Sequence, residues 1–154
     1  MGHVEPRRDK VDLSELAHEV VTMLKQTAPE RQVDFRITGG ITADGDANLL
    51  RSVLDNLLGN AWKYTGMLEE ALIEFGVTES DGKPVYFVRD NGAGFDNSDM
   101  DKLFVPFKRL PGTEEFRGFG IGLATVERII RRHGGRMCAE GEPGKGATFY
   151  FTLE

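Results

Sequence analysis

The stretch DNGAGF, residues 90–95, follows the apolar run VYFV at residues 85–88, with Arg89 between them. A strand that ends at Asp90 and continues into Gly92 and Gly94 can half-bury the carboxylate, while the glycines let a planar ligand approach the backbone closely. A carboxylate in that position can accept a hydrogen bond from an exocyclic amine. By itself, Asp-Asn-Gly is more often a simple turn. The neighbouring motifs therefore decide between the two interpretations.

An asparagine-rich segment, DNLLGNAWKYT at residues 55–65, precedes this turn and has helical spacing. On a helical wheel, Asn56, Asn60 and Lys63 fall within an arc of about 60°, next to an apolar side rich in leucine. Two carboxamides and an ammonium at the edge of a packed face can bind a hard cation through amide oxygen and a phosphate through charge. A helix with a solvated polar face is the alternative interpretation.

A glycine loop follows the turn, in RGFGIGLA at residues 117–124. Gly118, Gly120 and Gly122 lead into a segment with helical spacing, so free backbone N–H groups at the helix start would face a phosphate. The loop lacks the preceding strand of a dinucleotide-binding fingerprint, and GKG at residues 144–146 lacks the spacing of a P-loop. The sequence therefore supports neither a Rossmann nor a Walker site.

In this order and spacing, the three stretches resemble the N, G1 and G2 boxes of the GHKL ATPases, which comprise the gyrase, Hsp90, histidine-kinase and MutL proteins. The segment LFVPFKRL at residues 103–110 is similar to the F box of histidine kinases. The resemblance covers nearly the whole chain. It implies an α+β two-layer sandwich, the Bergerat fold, with a mixed sheet, helices on one face and a flexible ATP lid at about residues 96–120. The implied catalytic and ATP-binding domain spans residues 11–154, after a linker at residues 1–10.

The resemblance also implies a site for ATP and Mg²⁺. Asn60 would be a Mg²⁺ ligand, Asn56 would support the metal or its waters, and Lys63 would bind phosphate; these three form the predicted catalytic group. Asp90 would accept a hydrogen bond from adenine N6 and so select adenine over guanine, and Tyr64 would flank the base or ribose. The other predicted nucleotide-binding residues are Gly92, Gly94, Lys108, Arg109, Gly118, Gly120, Gly122, Leu123 and Thr148.

Several of these assignments have a plain structural alternative. Thr148 resembles the family threonine that helps to hold the adenine edge, but an ordinary strand threonine is the other interpretation. Lys108 and Arg109 resemble lid cations for the γ-phosphate, and solvated charges are equally consistent with the sequence. Phe104 and Phe107 would anchor the lid or meet a partner domain, or else belong to the core.

The N box separates a kinase from a hydrolase. Gyrase, Hsp90 and MutL carry a glutamate that serves as general base for water, whereas the matching position here is Asn56. The resemblance therefore favours a histidine kinase, in which Mg²⁺ and cations stabilise the transferring phosphoryl group. The stretch ERIIRRHGG at residues 127–135 resembles phytochrome-like and PAS-linked bacterial sensors. Two alternatives stay open: a stand-alone anti-sigma-type serine kinase, and a nucleotide-sensing interaction module without transfer activity.

We expect no phosphoacceptor histidine in this chain. The family places its substrate histidine in an H box of the type His-Glu-Leu-Arg-x-Pro, and HEVV at residues 18–21 lacks the arginine and the proline. His3 and His133 have no such context, and His18 is expected on the surface of the first helix. The implied partners are a dimerisation and phosphoacceptor domain on another segment and a response regulator downstream of it.

Composition bounds the remaining possibilities. A chain of 154 residues with 40% hydrophobic and 29% charged residues suits one globular domain. No apolar run approaches the ~20 residues of a membrane span, and a net charge of −6 argues against a nucleic-acid surface. We therefore expect a cytoplasmic domain without membrane or nucleic-acid contacts. The single cysteine, Cys138, excludes an internal disulfide, and its place in a predicted strand favours a buried thiol.

Periodicity and capping signals give the secondary structure. Helices are predicted from an N-cap at Asp12 up to Pro29, over residues 47–64 and over residues 121–133. Strands are predicted at residues 33–37, 73–77, 85–88, 136–140 and 147–151.

Overall fold

The computed structural model describes residues 9–94 and 119–153. In chain order the elements are β1 (Asp9–Asp12), α1 (Leu13–Thr27), β2 (Val33–Ile37), β3 (Thr42–Gly45), α2 (Ala47–Tyr64), β4 (Ala71–Ser80), β5 (Lys83–Asp90), α3 (Phe119–Arg132), β6 (Met137–Glu142) and β7 (Gly146–Phe151). The bounds of α2 and β2 are those predicted from the sequence. The predicted lid lies outside the described residues, apart from the helical backbone of Phe119 and Gly120.

The main sheet has five strands in the order β2-β4-β5-β7-β6. β2 runs parallel to β4, and the other three pairs are antiparallel. β1 and β3 form a separate two-stranded antiparallel sheet. The sequence did not predict this small sheet, because each of its strands has four mostly polar residues without an apolar alternation.

One face of the main sheet is covered by the helices. Alternate residues of β5 and β7, such as Val88 and Phe149, are buried against them, and the rings of Tyr86 and Phe151 lie 5.3 Å apart. Leu54, Leu57 and Leu58 of α2 are completely buried in the same core. Each fully buried leucine contributes about 2 kcal/mol of apolar transfer free energy. The arrangement confirms the predicted α+β two-layer sandwich with helices on one face.

The helices begin and end at the expected signals. The Asp12 carboxylate accepts a hydrogen bond from the Glu15 N–H (2.9 Å), as an N-cap does. Asp46 caps α2 in the same way by accepting from the N–H groups of Asn48 and Leu49. α3 is followed by Gly134 with φ +80°, a common helix stop. None of the described helices is both long and apolar enough to cross a bilayer.

His133 connects the end of α3 to the start of α2. Its side chain is completely buried, its Nε2 accepts a hydrogen bond from the Asp46 N–H (3.1 Å), and its Nδ1 donates to the Ile129 carbonyl (2.9 Å). With both ring nitrogens bonded in this way, the histidine is neutral and carries its proton on Nδ1. His18, in contrast, is exposed on α1, as predicted.

The prediction of a buried Cys138 is wrong. β6 is an edge strand of the main sheet, and only its alternate residues face the helices. Ala139 is buried on that side, so the neighbouring Cys138 points to the opposite face and is exposed.

Candidate functional site

The second half of α2 forms one wall of the site. Asn60 is only 3% exposed, and its Nδ2 has no hydrogen-bond partner, the one buried side-chain nitrogen or oxygen of this kind within residues 9–94 and 119–153. Asn56, one turn earlier, is half-buried and donates to the Ser52 carbonyl (2.8 Å). Lys63 is exposed one turn later. The three residues therefore follow one another along the helix, as the wheel predicted, and burial deepens at Asn60.

The DNGAGF turn packs directly against the end of this helix. The Ala93 N–H donates to the Tyr64 carbonyl at 3.1 Å. A Cβ at Gly92 would lie 2.7 Å from the Tyr64 carbonyl carbon and 2.9 Å from Asp90 Oδ1, closer than side-chain carbons come to such atoms. Glycine is therefore required at position 92 by the close approach of two backbones.

Asp90 is a buried carboxylate at the end of β5. It is 5% exposed, and its Oδ1 accepts the Gly92 N–H at 2.8 Å. Burial raises the pKa of Asp90 to about 7, although the backbone N–H groups of Gly92 and Ala147 partly oppose that shift. Near neutral pH, the group can therefore be ionised at little cost and can accept a further hydrogen bond.

Tyr64 lies beside this carboxylate. Its ring is 7% exposed, and burial raises the pKa of its hydroxyl to about 12, with the charge of Asp90 as the second cause. Tyr64 is thus neutral at physiological pH. The structure brings Asn60, Tyr64 and Asp90 together around one region.

Asn91 is a residue of the site that the sequence interpretation missed. Its Oδ1 accepts the Leu72 N–H (2.8 Å) and its Nδ2 donates to the Glu70 carbonyl (2.9 Å), so it fixes the turn to the start of β4. No local signal predicts these contacts, because the usual backbone bonds of a turn asparagine reach only a few residues, whereas those of Asn91 span 19 and 21 positions.

The hairpin between β6 and β7 supports the turn from the other side. The Gly144 N–H donates to the Ala93 carbonyl at 2.7 Å. Gly94 and Gly146 have φ values of +68° and +118°, and a Cβ at Gly94 would lie 2.7 Å from the Gly146 carbonyl oxygen. The glycines of residues 144–146, whose spacing does not fit a P-loop, therefore also contact the turn of the candidate site.

The Thr148 side chain lies on the opposite face of the sheet from the Asp90 side chain. Residues of β7 alternate between the two faces of the sheet, and Ala147 and Phe149 are buried on the helix side, where Asp90 also lies. The Thr148 side chain points to the opposite face, where its hydroxyl accepts from Arg89 Nε at 3.4 Å. Ala147, paired with Asp90, occupies the position beside the carboxylate. The role of Thr148 at the adenine edge stays a prediction.

Leu123 is also not a lining residue. Its side chain is 1% exposed and packs in the core with Val126 and Ile130, since it lies on the inner side of α3. Gly120 and Gly122 lie in the first turns of α3, where backbone N–H groups lack helical partners. Lys108, Arg109, Gly118, Phe104 and Phe107 lie outside the described residues.

Comparison with known proteins agrees with this geometry. A family model described as histidine kinase-, DNA gyrase B- and HSP90-like ATPase matches residues 45–154. Cyanobacterial phytochrome B from Nostoc sp. (strain PCC 7120) is 33% identical over 157 residues, which cover 100% of this chain and 21% of the phytochrome. The adaptive-response sensory kinase SasA from Parasynechococcus marenigrum (strain WH8102) is 34% identical over 150 residues, 94% of this chain and 38% of SasA.

Solved structures show the same relationship. The crystal structure of full-length ShkA in complex with AMPPNP aligns with a TM-score of 0.79 and 28% identity, covering 97% of this chain and 31% of ShkA. The chain thus spans about a fifth of the length of the phytochrome and about a third of ShkA. The resemblance identified from the N, G1 and G2 boxes is confirmed. The chain belongs to the family of histidine kinase-, DNA gyrase B- and HSP90-like ATPases.

Proposed function

We propose that this domain binds Mg²⁺-ATP and transfers the γ-phosphate to a histidine on a dimerisation and phosphoacceptor domain, in a cytoplasmic two-component pathway that ends in a response regulator. The observation that carries the proposal is the joining of α2 to the DNGAGF turn by the hydrogen bond from Ala93 to Tyr64, which groups Asn60, Tyr64 and Asp90. Membership of the ATPase family and the AMPPNP complex of the related ShkA support ATP as the ligand.

In this proposal Asp90 recognises the base. Its ionised carboxylate accepts a hydrogen bond from the exocyclic amine of adenine, and Gly92 leaves room for the ring to approach the backbone. Guanine carries a carbonyl at the same position, so its oxygen would face a carboxylate without a proton between them. Because a buried carboxylate facing another acceptor is costly, guanine is rejected. The Tyr64 ring flanks the base or ribose.

The residues present fit a magnesium ion. The amide of Asn60 is buried at this wall of the site, and its oxygen is the kind of ligand that Mg²⁺ accepts, whereas its unbonded Nδ2 is a donor and cannot be that ligand. Asn60 would hold the ion, with Asn56 supporting its waters. When bound, Mg²⁺ neutralises charge on the oxygens of the transferring phosphoryl group.

The phosphates are bound by cations and backbone N–H groups in this proposal. Lys63 stands one turn beyond Asn60 on α2, and the start of α3 supplies N–H groups together with its positive dipole end. The proposed phosphate contacts are Lys63, Lys108, Arg109, Gly118, Gly120 and Gly122. The N-box asparagine cannot act as the general base for water that a glutamate at the same position provides, which favours transfer to a protein nucleophile over hydrolysis.

A calorimetric titration with ATP, ADP and GTP, each with and without Mg²⁺, tests the binding part of the proposal. Adenine-selective binding that Mg²⁺ strengthens is the expected result. Failure of all three nucleotides to bind would contradict the proposed site.

The transfer step needs a supplied acceptor. We expect acid-labile phosphohistidine when radiolabelled ATP and the phosphoacceptor hairpin of a related sensor kinase are added. Phosphoserine on a partner protein would instead favour the serine-kinase alternative. Tight ATP binding without any labelled product would favour a nucleotide-sensing module.

A further inference from the structure

Arg31 makes an unusual set of contacts for a loop residue. It lies between α1 and β2, in a turn closed by its own N–H and the Ala28 carbonyl (3.0 Å). Its guanidinium lies over the Trp62 ring, with the central carbon 4.2 Å from the ring centroid. Nη1 donates to the Trp62 carbonyl (2.6 Å), and Nη2 donates to the Thr65 hydroxyl (3.1 Å).

These contacts all fall on the last turn of α2. The final carbonyls of a helix lack partners within the helix, and the negative end of the helix dipole lies there. Arg31 satisfies the Trp62 carbonyl, while the fully buried Thr65 hydroxyl donates to the Ala61 carbonyl at 2.8 Å. One guanidinium and one hydroxyl therefore fix the C-terminal turn of the helix that carries Asn60.

Tyr64 lies between the two points that Arg31 fixes. Its ring stands beside Asp90, and its carbonyl accepts the Ala93 N–H, which joins α2 to the DNGAGF turn. A rotation of this last turn would move both the ring and the carbonyl. Arg31 thus acts on the candidate site through Tyr64 although its own hydrogen bonds go to Trp62 and Thr65.

The Trp62 ring, on which Arg31 stacks, is itself packed against the main sheet. Trp62 stacks on Phe35 of β2, with centroids 6.0 Å apart and rings 11° from parallel, and Lys25 Nζ lies 5.5 Å from the Phe35 centroid. A cavity of about 1070 Å³, bounded by the end of α1, β2 and the segment before β4, lies on the outer side of Arg31 and Arg36. Two arginines therefore line the same cavity, and among the contacts of the described residues Arg31 bonds to α2 whereas the more exposed Arg36 pairs with Asp34.

We propose that Arg31 is a positioning residue for nucleotide binding, which holds the last turn of α2 so that Tyr64 and Asp90 keep the spacing that the adenine needs. The inference rests on the proposed function, because it concerns the same nucleotide site. Three properties of the Arg31 guanidinium contribute to this role: its planar set of N–H donors, its stacking on Trp62 and its positive charge.

The variants Arg31→Gln and Arg31→Lys test this role, with Arg36→Gln as the matched control. Arg36 lines the same cavity but pairs only with the exposed Asp34 (3.2 Å) among the described residues. We expect Mg²⁺-ATP to bind about tenfold more weakly to both Arg31 variants, a change of about 1.4 kcal/mol. Lysine fails because it has one ammonium in place of a planar fork. The control should bind as the wild type does.

Hydrogen exchange of the free domain separates positioning from general stability. Exchange of the Ala93 amide hydrogen should become faster in the Arg31 variants, while that of Val88, in the middle of the sheet, stays unchanged. A merely structural role would accelerate both amides. Equal ATP affinity of the wild type and both Arg31 variants would overturn the inference, and so would unchanged exchange at Ala93.

The two proposals fail in different ways. If the wild type binds no nucleotide, the proposed function fails, and exchange at Ala93 still decides whether Arg31 holds the turn. If Arg31→Gln does not fold, Thr65→Val removes one acceptor of the same guanidinium and is expected to show the same selective change at Ala93. A wild-type exchange rate in that variant would contradict the role of the Arg31 contacts.

Discussion

At the scale of the residue, the burial of Asp90 affects both the free energy of unfolding and the proposed recognition of adenine. Burial raises its pKa to about 7 in the folded domain, from an ordinary value of 3.8. The folded state therefore keeps a proton that the unfolded chain releases between about pH 4 and pH 7. By linkage, this group's contribution to the free energy of unfolding is fully present below pH 3.8 and is lost as the pH rises towards 7.

We predict that Asp90→Asn abolishes the fall in unfolding free energy that Asp90 causes as the pH rises from about 4 to 7. Urea unfolding of the two proteins at pH 4, 5.5, 7 and 8 measures it, and subtraction of the two pH profiles cancels the other carboxylates. The variant should gain stability relative to the wild type as the pH rises. Parallel profiles would mean that Asp90 titrates near its ordinary pKa and would contradict the buried position.

We also predict that the preference of the domain for ATP over GTP, which we assign to Asp90, becomes weaker as the pH falls. The ionised carboxylate can only accept a hydrogen bond, whereas the protonated group also carries an O–H that can donate to the guanine carbonyl. The ratio of the GTP to the ATP dissociation constant should therefore shrink as the pH falls from 8 to 6. The two nucleotides share a triphosphate, so the ratio cancels its titration. In Asp90→Asn the ratio should stay near one at every pH. A wild-type ratio that does not change with pH would count against base recognition by Asp90.

Asn60 offers a further test at this scale. Its Nδ2 has no partner among the described residues, so Asn60→Ala removes no hydrogen bond that they make with that atom, and we expect a loss of about 1 kcal/mol or less in unfolding free energy. The strengthening of ATP binding by Mg²⁺ should disappear, as calorimetry with and without the metal would reveal. Asn48→Ala, on the exposed first turn of the same helix, is the matched control. A full Mg²⁺ effect in Asn60→Ala would exclude Asn60 as the ligand.

At the scale of the element, α2 was predictable because its signals are local. Asp46 supplies the N-cap, and the period of 3.6 residues separates the leucine side from the side of Asn56 and Asn60. β1 and β3 were not predictable, since their pairing joins residues about 30 positions apart and leaves no apolar pattern. Thr148 shows a third case. A threonine at this position matched the family motif, but the pairing of β7 with β5 decides which face of the sheet its side chain occupies.

The turn and hairpin elements give a prediction of their own. Gly94→Ala introduces a Cβ at φ +68° that would lie 2.7 Å from the Gly146 carbonyl oxygen, so it combines backbone strain with a clash against backbone. Gly82→Ala has a similar φ of +76° with no atom within 4 Å, and it serves as the control for strain alone. We expect Gly94→Ala to cost about 2 kcal/mol more than the control in urea unfolding. Equal costs would mean that the turn and the hairpin are not in close contact.

At the scale of the whole molecule, the two helices of the candidate site are joined at the end remote from it. His133 lies after α3 and bonds to Asp46 before α2, across 87 residues of sequence. Asp46 is about 20 Å along the helix from Asn60, at 1.5 Å per residue. Such long-range contacts, like those of Arg31 with α2, leave no local trace in the sequence. For that reason the elements were predictable and their cross-links were not.

We predict that His133→Ala lowers the free energy of unfolding by about 3 kcal/mol, because it leaves the Asp46 N–H without its acceptor and opens a cavity in the core. His18→Ala, on the exposed side of α1, is the matched control and should change stability by less than about 0.5 kcal/mol. Urea unfolding at pH 7.5 measures both. Since His133 lies far from Asn60, Mg²⁺-ATP affinity measured at 10 °C, where the variant stays folded, should match that of the wild type. A loss of affinity without a loss of stability would instead place His133 within the nucleotide site and would contradict the separation of the two ends of α2.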